Sequence, residues 1–112
     1  MAHVKTRFAP SPTGLIPFGN VRTALFNVLP AKKIDGIFLL RTEDTDIERS
    51  CEEHIHALQE DLLWLGLEWQ AGEAVGGVAE PGCQMLRTAA YKSYLTQLQA
   101  SRQVYSCFCS AV

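Results

Sequence analysis

The 112-residue sequence predicts an α/β fold in which parallel strands are joined by crossover helices. Three observations carry that expectation. A short extended run, "VKTRFA" (4–9), precedes a helix-patterned run from Val21, and the continuous apolar run "GIFLLR" (36–41) follows it. Strand, helix and strand at this spacing make a βαβ unit, since parallel neighbours need a crossover of about a dozen residues or more.

Taken in order, the first strand is stopped by Pro10 and Pro12, and a loop runs to about Asn20. Gly19 and Asn20 read as the start of the first helix, with Asn20 as N-cap and the backbone amides facing any anion at the helix mouth. Val21, Leu25 and Val28 recur at helical spacing. Pro30 lacks an N–H and disfavours helical angles at Leu29, so this helix should end or kink there. The run 36–41 reads as a strand buried on both faces.

Ser50 and Glu53 have capping-box spacing, and Cys51, Ile55, Leu58, Leu62 and Leu65 repeat at helical intervals before Gly66. Residues 71–82, "AGEAVGGVAEPG", read as a glycine-rich loop. A further helix is expected over 84–102, with Leu86, Ala90, Tyr94, Leu95 and Leu98 on one side, and "VYSCFC" closes the chain as a short extended segment. Trp64 and Trp69 read as core and turn packing rather than a stacking platform for a base, and Tyr91 and Tyr94 as buried face and rim. His3 lies near the terminus and says little.

Composition narrows the function classes. The chain is 47% hydrophobic, and none of its apolar runs approaches the ~18 residues of a membrane span. The first residues carry no long apolar core of a signal peptide, so a cytoplasmic protein with no membrane partner is expected. Net charge is -2, but residues 1–41 hold six Lys/Arg against one acid and residues 42–80 hold eleven acids against one Arg. A basic first segment suits phosphate, whereas a stand-alone nucleic-acid binder would be basic throughout. Four cysteines, Cys51, Cys83, Cys107 and Cys109, are too few and too uneven for a disulfide framework.

Parallel strands send their following loops to the same sheet edge, where open α/β folds bind ligands. Loops 8–20 and 42–46 should therefore meet, bringing Arg7 and Ser11 towards Glu43, Asp44 and Asp46. A guanidinium holds a carboxylate bidentately and a carboxylate holds an ammonium, so the set would suit a zwitterion such as an amino acid. The plain alternative is a salt bridge or a solvated acidic turn. A metal site at Glu43, Asp44 and Asp46 is the weaker expectation, because the run lacks the glycine and distal Glu of a calcium loop.

"RFAPSPTG", the glycine-bearing loop and helix after it, "LLRTEDTDIERS", "DLLWLGLEW" and "YSCFCS" together resemble the amino-terminal part of bacterial glutamyl-tRNA synthetases and the shorter glutamyl-queuosine tRNA(Asp) synthetases. The resemblance runs from about residue 4 to 110. It implies half of a class I Rossmann-type catalytic fold, using ATP and glutamate to form an adenylate and then charging tRNA. Position by position, Arg7, Ser11 and Glu43 match residues that hold glutamate, with Ala9 lining that pocket. Pro10, Ser11, Pro12, Thr13, Gly14, Gly19 and Asn20 match the ATP-binding signature region. Cys107 and Cys109 resemble the first two ligands of a zinc site, and zinc wants four. His54 and His56 diverge on their helix and do not complete it.

The sequence also departs from the family pattern. The signature tetrapeptide related to His-Ile-Gly-His is here Pro17, Phe18, Gly19 and Asn20, so the first imidazole is absent. The "QMLR" run (84–87) keeps only part of the usual Gln-Ser-Glu-Arg stretch. The 112 residues contain neither the second half of the nucleotide fold nor its Lys-Met-Ser-Lys-like loop nor any anticodon-contacting part. The resulting expectation is a single truncated unit: a βαβ half at 4–70 with the ATP and glutamate loops, then a loop, a helix and the start of a zinc-type insertion at 71–112. Such a unit should not aminoacylate alone, and tRNA is not expected to bind it alone. The alternative is a non-catalytic interaction module that self-associates or binds a synthetase, because half a nucleotide fold leaves apolar surface to cover.

Overall fold

The structure, a computed structural model, describes residues 4–76 and 82–110. His3 lies outside the described residues, as does part of the expected 71–82 loop. The elements run β1 (Lys5–Phe8), α1 (Phe18–Lys33), β2 (Ile37–Leu40), α2 (Glu52–Trp64), β3 (Ala71–Gly72), a 3-10 turn at Met85–Arg87, and α3 (Thr88–Ala100). The three strands form one parallel sheet in the order β1-β2-β3. Each crossover passes through a helix, as the sequence predicts.

One face of the sheet carries the core. Phe8, Phe38 and Leu40 point to it and meet Ala24, Val28 and Ala31 of α1 and Leu58 and Leu62 of α2. Burial of this set supplies the main drive for folding, at roughly 25 cal/mol per Å² of apolar surface. The other face is not closed over: Lys5 and Arg7 are exposed there, and Ile37 and Leu39 are only half-buried. The run 36–41 was expected to be buried on both faces, and its apolar continuity proves a poor guide because no described layer packs on the second side.

The strand β3 was not expected, since residues 71–82 read as loop. Gln70 explains how so short a strand holds: its side-chain carbonyl accepts the Phe38 N–H (3.0 Å) and its own N–H donates to the Phe38 carbonyl (3.0 Å). Glu73 N–H extends the pairing to the Leu40 carbonyl at 3.0 Å. Gly72 permits this closeness, because its φ of +101° is left-handed and a Cβ there would lie 2.0 Å from the Leu40 oxygen.

Helix boundaries moved for identifiable reasons. The N-cap of α1 is Pro17 rather than Asn20: the Pro17 carbonyl accepts the N–H groups of Asn20 (2.9 Å) and Val21 (3.1 Å) in extended cap geometry. Pro30 does not end the helix, which continues to Lys33; Val28 and Ala31 on either side are buried, and that packing outweighs the lost N–H. Of the expected face, Val28 is buried but Leu25 is exposed, and Ala24 and Ala31 take the contact.

The N-cap of α2 is Cys51, so the Ser50/Glu53 capping box does not form, and the Ser50 hydroxyl is buried without a partner among the described residues. Its end follows expectation: Gly66 has φ +72°, and the Leu67 N–H donates to the Leu62 carbonyl at 2.9 Å, a Schellman motif that buries both leucines.

The helix at 84–102 is shorter than expected, and none of its residues is buried. Tyr91, Tyr94, Leu95 and Leu98 are exposed, against the expectation of a buried face. Trp64 is likewise 86% exposed instead of core, while Trp69 packs at the core edge and donates from Nε1 to the Glu73 carbonyl at 2.7 Å. Residues 103–110 carry no secondary structure. Among the described residues no helix is long and apolar enough to cross a membrane.

Candidate functional site

The loops after β1 and β2 lie side by side. Arg41 N–H donates to the Phe8 carbonyl (3.0 Å) and Glu43 N–H to the Pro10 carbonyl (2.9 Å), so the parallel ladder runs on past the strand ends. Pro10 and Pro12 are buried, and the Thr13 N–H closes a tight turn onto the Ser11 carbonyl at 2.9 Å. From α2, His54 Nδ1 lies 3.3 Å from the Pro12 carbonyl and donates to it in the tautomer protonated there. The loop is thus held on two sides while its inner surface stays open.

That inner surface bounds a cavity of about 580 Å³ at the carboxyl end of β1, within the usual range for small-molecule sites of about 300–1,000 Å³. Arg7, Ala9 and Ser11 line it, together with residues 10–14, Pro17 and Asn20. Phe18, Gly19 and Glu43 do not. Gly14 and Gly19 have open space where a Cβ would stand. Of the first α1 amides, those of Asn20 and Val21 donate to the Pro17 carbonyl, and the positive end of the helix dipole faces the mouth of the loop. Arg7 is the cationic side chain on the cavity wall, where an anionic group of a ligand would suit it.

The acidic run after β2 separates in space. Asp44 Oδ1 accepts the Met85 N–H at 2.9 Å and anchors the 3-10 turn. Asp46 pairs with Arg49, whose Nε donates to Oδ2 at 2.6 Å. That hydrogen bond holds the Asp46 carboxyl below its usual pKa. Glu43 is half-buried, with its backbone beside the cavity loop. Of the expected clamp, then, Arg7 and Ser11 share the cavity wall, Glu43 adjoins it through the backbone, and Asp44 and Asp46 are engaged elsewhere.

Cys107 and Cys109 are exposed. Hydrogen bonds from the Cys109 backbone N–H and thiol reach the Cys107 sulfur and hold its pKa below the ordinary thiol value. Among the described residues no three His, Cys, Asp or Glu side chains are grouped to hold a metal ion. Two thiols supply half of a tetrahedral zinc set, so these residues alone do not fit zinc. Cys51, first of the helical repeat, is exposed, and the half-buried Cys83 donates to Glu73 Oε2 at 2.9 Å.

Sequence reasoning missed His54 and Leu58 as supports of the cavity. A signal existed: His54, Leu58 and Leu62 form one i, i+4 stripe on α2, which places the imidazole on the inward side.

Comparison with known proteins adds a family. The model of the catalytic domain of class I tRNA synthetases (E and Q) matches residues 3–111. Glutamate–tRNA ligase 2 of Nitrosococcus oceani is 56% identical over 107 residues, covering 96% of this chain and 23% of the relative. Glutamate–tRNA ligase 2 of Coxiella burnetii (strain RSA 493) shows the same identity and coverage. The crystal structure of a glutamate tRNA ligase from Elizabethkingia meningosepticum in complex with its amino acid superposes with a TM-score of 0.82 at 39% identity, over 88% of this chain and 20% of that one. The chain thus spans about a quarter of the length of the curated relatives it matches.

Proposed function

Because the chain belongs to the catalytic-domain family of class I tRNA synthetases (E and Q), we propose that it carries the glutamate and ATP half-site of a glutamate–tRNA ligase and does not aminoacylate by itself. The observation that carries this reading is the cavity at the carboxyl end of β1, walled by Arg7, Ala9, Ser11 and the 10–14 loop and bounded by the start of α1. In this reading the Arg7 guanidinium pairs with the glutamate carboxylate, Ser11 adds a hydroxyl, and the small Ala9 leaves room beside them. Glu43 answers the substrate ammonium from the neighbouring loop.

ATP, as the second substrate, activates the glutamate carboxylate for transfer to tRNA. The loop Pro10–Gly14 with Gly19 and Asn20 would receive its phosphates at the positive end of the α1 dipole. Pro17 weakens this site. Where the resemblance calls for an imidazole, proline offers neither a side-chain donor nor an N–H, and losing one such donor costs about 10²–10³ in rate. The 112 residues also contain only the β1–α1–β2–α2 side of the crevice and the segment 71–112 beyond it. Cys107 and Cys109 supply two of the four ligands zinc takes, and no third His, Cys, Asp or Glu joins them among the described residues.

Calorimetric titration with glutamate and with ATP, alongside pyrophosphate exchange with tRNA present, tests the proposal. We expect weak heats for both ligands, loss of the glutamate heat in Arg7→Ala, and exchange at background. Absence of binding for both would remove the half-site, and exchange above background would remove the claim of inactivity.

A second reading, an interaction module that self-associates or binds a synthetase, is favoured by α3 alone. Its Tyr91, Tyr94, Leu95 and Leu98 are all exposed, and light scattering that shows a monomer at all concentrations would end the self-association form of it.

A further inference from the structure

Building on the half-site reading, we propose that His54 is a positioning residue for the cavity loop. Its imidazole, kept in the tautomer protonated at Nδ1, fixes the direction of the Pro12 carbonyl and with it the course of residues 13–16, which sets the affinity of the cavity for glutamate.

Pro10, Ser11 and Pro12 present three consecutive carbonyls, and each is met by a donor from a different part of the chain. Glu43 N–H reaches Pro10 at 2.9 Å, Thr13 N–H reaches Ser11 at 2.9 Å, and His54 Nδ1 lies 3.3 Å from Pro12. The first two donors are backbone amides and are there whatever the side chain. Only the third depends on residue type.

Proline has a fixed φ and no N–H, so ψ is the one soft torsion at Pro12 and the carbonyl is its only polar backbone group. Pro12 is fully buried, and a buried carbonyl left without a donor is costly. The His54 bond satisfies that group and sets ψ together. Beyond it, the backbone of residues 14–16 makes no hydrogen bond among the described residues, until the Pro17 carbonyl accepts from Asn20 and Val21. His54 is therefore the last polar tie between the loop and the rest of the fold before a free span, and residues 13–16 all line the cavity.

His54 itself does not line the cavity, so it acts through the loop. It is half-buried, whereas Leu58 and Leu62 on the same stripe of α2 are buried in the core and seat the helix without it. The tautomer matters because a neutral ring protonated at Nε2 would aim the Nδ1 lone pair at the carbonyl oxygen.

The full chain, labelled with ¹⁵N, is studied by long-range proton–nitrogen correlation of the histidine rings above their titration range, with His54 assigned by its loss in His54→Asn. The expected signature is a protonated Nδ1 and a bare Nε2. Amide exchange at Thr13 and Gly14 should quicken roughly 3–10-fold in His54→Ala, the effect of one lost hydrogen bond, while the Leu62 amide keeps its native rate. His54→Asn, whose side-chain amide can donate from the place of Nδ1, should restore the native rates. Glutamate affinity by calorimetry should fall and recover in the same two variants. A native chain that gives no glutamate heat would remove the half-site reading, and the ring signature and exchange rates would still decide the role of His54. A ring protonated at Nε2, unchanged exchange or unchanged glutamate affinity in His54→Ala, or no recovery in His54→Asn would overturn the proposal.

Discussion

At Gly72 one hydrogen atom decides whether the third strand can exist. A Cβ there would meet the Leu40 oxygen at 2.0 Å, and the φ of +101° is strained for any other residue. Gly72→Ala should therefore cost about 3 kcal/mol in urea unfolding, from backbone strain and overpacking together. Cys83 shows a different residue-level effect. Burial first, then the hydrogen bond and charge of Glu73, push its thiol up to about 12 from an ordinary 9.0. The thiol should alkylate far more slowly than Cys51 at pH 8, as read by mass spectrometry. Because the folded pKa is raised, its contribution to stability is complete below about pH 9 and lost as pH rises towards 12. That Arg7 and Ser11 lie on the cavity wall was legible from their place at a strand end. Gly72 was not, since two residues are too few to show a period.

Among the elements, all three helices end with a left-handed residue: Asp35 (φ 51°), Gly66 (φ 72°) and Arg102 (φ 56°). In each case the next N–H reaches back to a carbonyl five residues earlier: Gly36 to Ala31 (2.8 Å), Leu67 to Leu62 (2.9 Å) and Gln103 to Leu98 (3.0 Å). Only the glycine announced itself in the sequence. Arg102 adopts a conformation that costs a side-chain-bearing residue roughly 1 kcal/mol, so Arg102→Gly should extend the lifetime of the last turn of α3, seen as slower amide exchange at Gln103. Along α2, Leu62→Ala should destabilise by about 2–5 kcal/mol because Leu62 is fully buried. Leu63→Ala, at 53% exposure, should stay within about 0.5 kcal/mol. The period of α2 was readable because its apolar spacing coincides with real burial. For α1 the sequence pointed to Leu25, but Ala24 and Ala31 are the buried residues and Leu25 is exposed.

Across the whole molecule, packing is uneven. Among the described residues, nine from β1, α1, β2, α2 and the turn after it make the core, while α3 buries none of its residues and touches the sheet region through the Arg41 to Tyr91 hydroxyl hydrogen bond at 3.3 Å. A 13-residue helix without packing is marginal in water. Hydrogen exchange should accordingly show slow amides in β2 and around Val28 and Ala31, and fast amides along α3. Protection of α3 that grows with protein concentration would instead reveal a second copy covering its apolar face. The sequence by itself determined the strand–helix–strand order, the parallel sheet and the position of the cavity loops, because periodicity, proline and glycine act locally and a parallel crossover leaves little topological choice. Only the tertiary structure decided which apolar residues are covered, where helices α1 and α2 begin, that Gly72 closes a third strand, and that Asp44 and Asp46 are spent on Met85 and Arg49. Burial and hydrogen bonding depend on what lies opposite a side chain, and that partner is distant in sequence.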